Sequence, residues 1–299
     1  MTKGRILSVT AGVYTLYDGK EYFACSPKGA FRKNKIKPLV GDICIFDENK
    51  RTIEEIMPRK NELLRPKMSN LDLAVVTVSL KKPDFSRELL DMFLSFLNLY
   101  NVKSIIVFTK TDLVDDLPND IKDYYTSIGY KAFFFSSKTQ EGKEEILKEI
   151  DNKTIAFVGQ TGAGKSSLLN VLLPEANRSI GSYSETLGRG RHETTQTILI
   201  PFKNQYLCDT PGFSSIELNC YKEDLARIFP GFENIEEECY FTDCLHQNEK
   251  GCAIKKAVES GRISSADYEI YLTLLNNLSY RKDRYSKWFI YLHHCYQHL

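Results

Sequence analysis

The run Gly159-Gln-Thr-Gly-Ala-Gly-Lys165-Ser166 follows directly on the apolar stretch Ile155-Ala-Phe-Val158 and leads into Ser167-Leu-Leu-Asn-Val-Leu-Leu173. Its spacing is G-x-x-x-x-G-K-[ST], set between a short buried strand and a helix, which is where a phosphate-cradling loop works. Gly159, Gly162 and Gly164 let the backbone turn tightly and aim successive N–H groups, with those of Gln160, Thr161 and Ala163 between them, at phosphate oxygens. The helix N-terminus at Ser166 and Ser167 adds partial positive charge. Lys165 is placed to reach the β- and γ-phosphates, and the Ser166 hydroxyl to ligate Mg²⁺. These residues predict a nucleoside triphosphate site.

Asp209-Thr-Pro-Gly212 lies 44 residues past Lys165 and ends another short apolar run. It fits a D-x-x-G turn whose Asp holds Mg²⁺ through water and whose Gly amide senses the γ-phosphate. The polar segment between them contains His192-Glu-Thr-Thr195, and Thr194 or Thr195 is expected to meet the metal. The base is specified by Thr109-Lys110-Thr111-Asp112, directly after Ile105–Phe108. A carboxylate at 112 can accept from both N1–H and the exocyclic amine of guanine, which adenine cannot offer. The Lys110 stem would pack along the ring, and Ser136-Ser137-Lys138 fits a last guanine-contacting turn. Asp112 therefore argues against the alternative of an ATP-dependent kinase or ATPase. A nucleotide-gated RNA-binding factor, for which turnover is only a reset, remains compatible. The guanine turns precede the phosphate loop, the reverse of the usual order. The site closes only if the chain is circularly permuted, with the old ends joined between 138 and 155.

Cys239-x₄-Cys244-x-His246-x₅-Cys252 gathers three thiolates and an imidazole within 14 residues. That set suits one structural, tetrahedral Zn²⁺ with no open position. Cys25, Cys44, Cys208 and Cys220 are scattered and read as ordinary core or surface thiols. His293, His294, Cys295 and His298 sit in an aromatic tail and are not expected to form a second site.

The elements that must position these residues follow from pattern. Residues 4–57 hold five short alternating strands separated by Gly and Asp, which suits a small closed barrel of the oligonucleotide-binding type. This end of the chain is basic, with 14 Lys/Arg against 8 Asp/Glu in residues 1–68, while the remainder carries 26 against 31. A polyanion partner for the barrel follows. Lys28, Arg32, Lys33, Lys35 and Lys37 would neutralise phosphates, and Phe31, Tyr22 or Phe23 would stack on bases. Residues 58–66 read as a linker. Continuous apolar runs at 71–78, 104–108, 132–135 and 155–158 alternate with amphipathic helices, the mark of a parallel sheet covered on both faces. Past Leu218 the pattern is helical. No apolar run nears the roughly 18–20 residues of a membrane span, and the N-terminus lacks the apolar core of a signal peptide, so a cytoplasmic protein with no membrane association is expected.

From Gly29-Ala-Phe-Arg-Lys33 and Pro58-Arg-Lys-Asn61, through the permuted motifs, to Gly251-Cys-Ala-Ile-Lys255, the chain closely resembles the circularly permuted ribosome small subunit-dependent GTPase A family (RsgA, YjeQ or YloQ). The resemblance implies an oligonucleotide-binding β-barrel at 1–66, a central α/β P-loop GTPase domain at 67–217 and an α-helical zinc-binding domain at 218–299. It implies a monomer that turns GTP into GDP during late maturation of the small ribosomal subunit, stimulated by that subunit and in contact with its 16S rRNA. Leu187-Gly-Arg-Gly-Arg-His192 matches the family's switch segment. Phe213 stands where other GTPases place a water-orienting Gln, so slow intrinsic hydrolysis is expected. His192, with Thr194 and Lys165, is the candidate catalytic group once RNA orders that loop.

Overall fold

The computed structural model describes residues 1–33, 35–174, 197–209, 213 and 216–279, and the side chains of all of them but Arg32, Asp209 and Ser279. His192, Thr194, Thr195 and Gly212 lie outside the described residues, as does the tail past Ser279. Two compact units follow one another, Met1–Glu217 and a second from Leu218.

The first unit begins with five strands, β1 (Thr2–Thr10), β2 (Val13–Tyr17), β3 (Tyr22–Pro27), β4 (Ile43–Asp47) and β5 (Thr52–Ile56). They close in the order β1-β2-β3-β5-β4, with β4 returning to β1. Alternate side chains point inward because the strand period is two, so Leu16, Phe23, Cys25, Cys44, Phe46 and Ile53 fill the interior. Burial pushes the Cys44 thiol up to about 12, which fits an inert core thiol. A single helical turn, α1 (Gly29–Lys33), bridges β3 and β4 and inserts Phe31 into the same core at 5% exposure. Phe31 and Phe23 therefore do not offer the base-stacking faces expected of them, because the small barrel needs both rings to fill it. Tyr22, half exposed and 5.0 Å from the Tyr17 ring, keeps that capacity. Lys33, Lys35 and Lys37 are exposed, and Lys28 pairs with Glu54 at 3.6 Å.

A six-stranded sheet follows. Its strands are β8 (Leu73–Ser79), β9 (Ser104–Thr109), β10 (Lys131–Phe135), β11 (Thr154–Val158), β12 (Ile198–Phe202) and β13 (Gln205–Asp209), in the order β10-β9-β8-β11-β13-β12. All pairings are parallel except β12 with β13. Every residue of β8 is buried, which is why its sequence runs apolar without alternation. Helices α2 (Arg87–Leu99), α3 (Asn119–Ser127) and α4 (Lys143–Ile150) connect the parallel strands, and α5 (Lys165–Leu172) follows β11. Ser86 caps α2 by accepting from the Leu89 amide, and the buried Tyr125 hydroxyl donates to Asp91 at 2.7 Å, tying α3 to α2.

The segment expected to be a linker is a fastener. Glu62–Leu64 (β6) and Lys67–Ser69 (β7) form a two-stranded ribbon between barrel and sheet. Fully buried Asp42, on the barrel side, accepts from Arg59 Nε and Nη2 at 2.7 Å each, from the Leu39 amide at 2.7 Å and from Ser69 Oγ at 2.6 Å. Asn61 donates to the Leu71 carbonyl and accepts from the Leu71 amide. Asp72 then accepts from the Thr154 amide and pairs with Lys60. Charged and amide side chains at these positions look solvated in a sequence, yet here they bind one structural element to another.

The second unit contains α6 (Lys222–Ile228), a 3₁₀ turn at Glu236–Glu238, α7 (Ala253–Glu259) and α8 (Ser265–Ser279) around an aromatic core. Phe229, Phe232 and Tyr271 meet there with ring centroids 4.8 to 5.4 Å apart. Among the described residues no helix is long and apolar enough to cross a membrane.

Asp42→Ala would leave the Arg59 guanidinium and two other donors without their acceptor in the interior. It is expected to lower the free energy of unfolding by about 3 kcal/mol. A urea titration reads this as a lower midpoint, and an unchanged midpoint would contradict the role given to this carboxylate.

Candidate functional site

Register brings the chemistry to one edge of the sheet. Ser79 pairs with Thr109, Thr109 with Phe135, and Val76 with Val158. The carboxyl ends of β8, β9, β10, β11 and β13 therefore open on the same side, the place where parallel sheets hold ligands. Residues 109–112, residues 136–138, the glycine-rich loop at 159–166 and Asp209 each stand at one of those ends.

At the end of β11 the chain passes so close to β8 that a Cβ on Gly159 would lie 2.2 Å from the Thr77 carbonyl oxygen. Only glycine fits, and its φ of +145° points to the same residue type. Its amide donates to the Phe213 carbonyl at 3.1 Å, and Phe213 itself is buried. Gly162 and Gly164 take φ of +81° and +90°, which curves the loop into the first turn of α5. Thr161, Ser166 and Ser167 are exposed on the open side, whereas Ala163 is buried beneath. Lys165 reaches back over the loop, donating to the Gln160 carbonyl at 2.8 Å and to that of Gly159. Burial lowers its pKa.

The first guanine turn is bonded to this loop by two side chains. Thr109, nearly inaccessible, sends its hydroxyl to the Ala163 carbonyl at 2.6 Å, with the Val78 carbonyl at 3.2 Å. Thr109 thus supports the turn from a position where the motif usually has Asn. Lys110, in the left-handed region at φ +61°, extends its amine to the Gly162 carbonyl at 2.8 Å and to that of Lys82. Thr111 opens a 3₁₀ turn that presents Asp112. The Asp112 carboxylate pairs with Lys138 at 2.6 Å and accepts from Ser136 Oγ at 3.0 Å, joining the two guanine turns. The bond from Lys138, then that from Ser136, hold its pKa below the usual carboxylate value. Ser136 Oγ also receives the amides of Lys138 and Thr139. Ser137 is exposed on this turn.

One contributor escaped the sequence reading. The turn after β8 brings the Lys82 carbonyl to Lys110, and Pro83 Cδ would stand 3.4 Å from a Cβ on Gly162. Its position at the end of the central strand was the available signal, since no motif marks it. The Asp209 backbone closes β13 opposite Ile198.

In the second unit the ligand atoms of Cys239, Cys244, His246 and Cys252 lie within 4.8 Å of one another. His246 Nδ1 faces Cys252 Sγ at 3.4 Å and Cys239 Sγ at 3.6 Å, while Nε2 bonds the Ala226 carbonyl at 3.2 Å. That carbonyl fixes the tautomer, leaving Nδ1 as the free donor atom, the usual outer support of a ligating imidazole. Burial lowers the His246 pKa, which keeps the ring neutral. Backbone amides of Ala253 and Lys255 point at Cys239 Sγ and Cys252 Sγ, at 3.3 and 3.4 Å. Three sulfurs, one neutral nitrogen and amides to temper thiolate charge fit a soft, four-coordinate metal ion.

The family model described as RsgA GTPase matches residues 56–219, and the one described as RsgA N-terminal domain matches residues 3–53. The chain is similar to a protein of Bacillus subtilis (strain 168) named small ribosomal subunit biogenesis GTPase RsgA. The two are 39% identical over 298 residues, covering 95% of this chain and 100% of that one. A protein of the same name from Enterococcus faecalis (strain ATCC 700802 / V583) is 38% identical over 293 residues, covering 95% and 98%. Among solved structures, YloQ, described as a circularly permuted GTPase, superposes with a TM-score of 0.77 at 36% identity, covering 95% of this chain and 97% of that one. YjeQ from Thermotoga maritima gives 0.78 at 30% identity, covering 94% and 99%.

Treatment with a chelator, or replacement of Cys244 by Ser, is expected to loosen α6 and α7 while leaving the six-stranded sheet intact. Amide hydrogen exchange reads the difference. Protection of α6 and α7 that survives chelation would show the cluster does not hold the unit together.

Proposed function

The chain belongs to the RsgA GTPase family, and from that membership we propose that it binds GTP at the edge formed by β8, β9, β10 and β11 and hydrolyses it in the late maturation of the small ribosomal subunit. The relatives' names assign them that subunit. The observation that carries the guanine reading is the bonding of Thr109 and Lys110 to the carbonyls of Ala163 and Gly162. It makes the turn that would hold the base and the loop that would hold the phosphates a single surface.

In this reading the amides between Gly159 and Ser167 receive the phosphate oxygens. Lys165, whose amine already lies over the loop, meets the β- and γ-phosphates. Asp112, kept ionised by Lys138 and Ser136, accepts from N1–H and the exocyclic amine of guanine, with Thr111, Ser137 and Lys138 around the ring. Mg²⁺, held by Ser166, Asp209 and either Thr194 or Thr195, would neutralise charge on the β- and γ-oxygens. Phe213 cannot orient water, so His192 takes that task when the subunit's RNA engages its loop. Zn²⁺ suits the Cys₃His set as one structural ion. Residues 1–66 serve as the 16S rRNA-facing barrel, through Lys28, Arg32, Lys33, Lys35 and Lys37. Residues 67–217 form the GTPase and 218–299 the zinc domain of a cytoplasmic monomer.

The deciding experiment compares GTP and ATP turnover with and without small ribosomal subunits. GTP hydrolysis is expected to be slow alone and strongly stimulated by the subunits. Preference for ATP, or no stimulation, would sink the proposal. Asp112→Ala should weaken GTP binding by about 10- to 100-fold, the worth of a lost charged hydrogen-bond pair, with little change for ATP. His192→Ala should keep the unstimulated rate and lose most of the stimulation. An unaltered stimulated rate would remove His192 from the mechanism.

A further inference from the structure

Beside the cysteine cluster, the turn between Cys239 and Cys244 projects two aromatic side chains away from the protein. Tyr240 is 80% exposed and Phe241 44% exposed, and their rings meet edge to face at 4.9 Å and 84°. Proteins seldom leave adjacent large rings in water without a use for them. The presentation is also enforced. Tyr240 directly follows the cluster residue Cys239, and its amide donates to the Gly251 carbonyl at 3.3 Å. Gly251, at φ +75°, would bring any Cβ to 3.0 Å from Tyr240 Cβ, so a glycine there makes room for the ring to stand where it does. A side chain held in place before binding loses little entropy on binding.

The surroundings choose the partner. Residues 218–244 carry seven acidic side chains against two basic ones. Asp243 is exposed on the aromatic turn, and Glu237 and Glu238 are exposed on the 3₁₀ turn that runs into it at Cys239. Nucleic acid would bring phosphates toward these carboxylates. A second copy of the chain, meeting through the same patch, would set like charges face to face. A purely apolar partner would strip water from carboxylates without pairing them. Guanidinium and ammonium groups satisfy both features, since they stack on aromatic faces and pair with carboxylates.

We propose that the Tyr240–Phe241 turn, with Glu237, Glu238 and Asp243, is a docking surface for an arginine- and lysine-bearing segment of a protein. The cysteine cluster holds the turn in its binding shape. The turn belongs to the second unit, whereas the phosphate loop and the basic barrel belong to the first, and the proposal assigns its occupancy to neither GTP nor RNA.

The test uses the full, metal-loaded chain, with a fluorescent arginine–glycine repeat peptide as probe and a single-stranded oligouridylate as the nucleic-acid comparison. Two variants are compared with the unaltered protein, Tyr240→Ala and the charge-reversing pair Glu237→Lys/Glu238→Lys. All three positions are exposed, so the fold should tolerate the changes. Each variant is expected to weaken peptide binding by about tenfold, with oligouridylate binding undiminished. Peptide affinity that survives either variant overturns the proposal, as does failure of the unaltered chain to bind the peptide. Oligouridylate affinity that falls with Tyr240→Ala also overturns it, by assigning the surface to nucleic acid.

Discussion

The nucleotide edge of this protein depends on how closely the phosphate loop can lie against the central strand. Gly159 leaves β11 with its α-carbon backed onto the Thr77 carbonyl, where a methyl group would sit 2.2 Å from oxygen. That approach puts the following residues within reach of β9. The Thr109 hydroxyl and the Lys110 amine can then take the carbonyls of Ala163 and Gly162, which fixes the loop against the turn after β9. A loop one methyl farther out would break both links, and the surfaces for base and phosphate would move independently.

The barrel is attached by a different kind of contact. Asp42, Arg59, Asn61, Ser69 and Asp72 form a buried and half-buried polar chain between barrel loop, ribbon and sheet. Each carboxylate there is met by several donors. Apolar packing alone would allow neighbouring arrangements of similar energy. A buried carboxylate with four specified donors admits few, because each alternative leaves a charge or an amide unsatisfied. Arg5 adds to the attachment from β1, with its guanidinium 4.5 Å above the Tyr206 ring on β13 and bonded to the Asn70 carbonyl.

How much of this was legible in the sequence depended on whether a residue acts through its neighbours in the chain or across the fold. The phosphate loop, the guanine turns and the Cys₃His set were read from local patterns, and the ligand atoms of the Cys₃His set lie within 4.8 Å of one another. The five barrel strands and the parallel sheet were legible because burial on one face or two imposes a period. Phe31 was misjudged because it sits in a basic run, and nothing local says that a five-stranded barrel needs that ring to complete its core. Residues 58–66 were misjudged because charged and amide residues near prolines look like solvated linker when their partners lie 10 to 22 residues away. The support Thr109 gives the loop was equally hidden, since its acceptor is 54 residues on. The choice of Nδ1 in His246 rested on the Ala226 carbonyl, 20 residues back on α6.

The permuted order carries a mechanical consequence that follows from connectivity. In a GTPase with the usual order, the chain past the γ-phosphate-sensing turn returns to the sheet and supplies the guanine turns. Its movement is absorbed inside the domain. Here the guanine turns are already in place upstream, joined to the phosphate loop through α4 and β11. The chain leaving β13 passes Phe213, whose carbonyl is bonded to the Gly159 amide, and runs directly into the second unit at Leu218. A change in that turn would act on a segment tied to the phosphate loop at Phe213 and continuous with the second unit at Leu218. Permutation leaves the parallel sheet with its ordinary strand neighbours and changes only which segment follows the Asp209 turn along the chain.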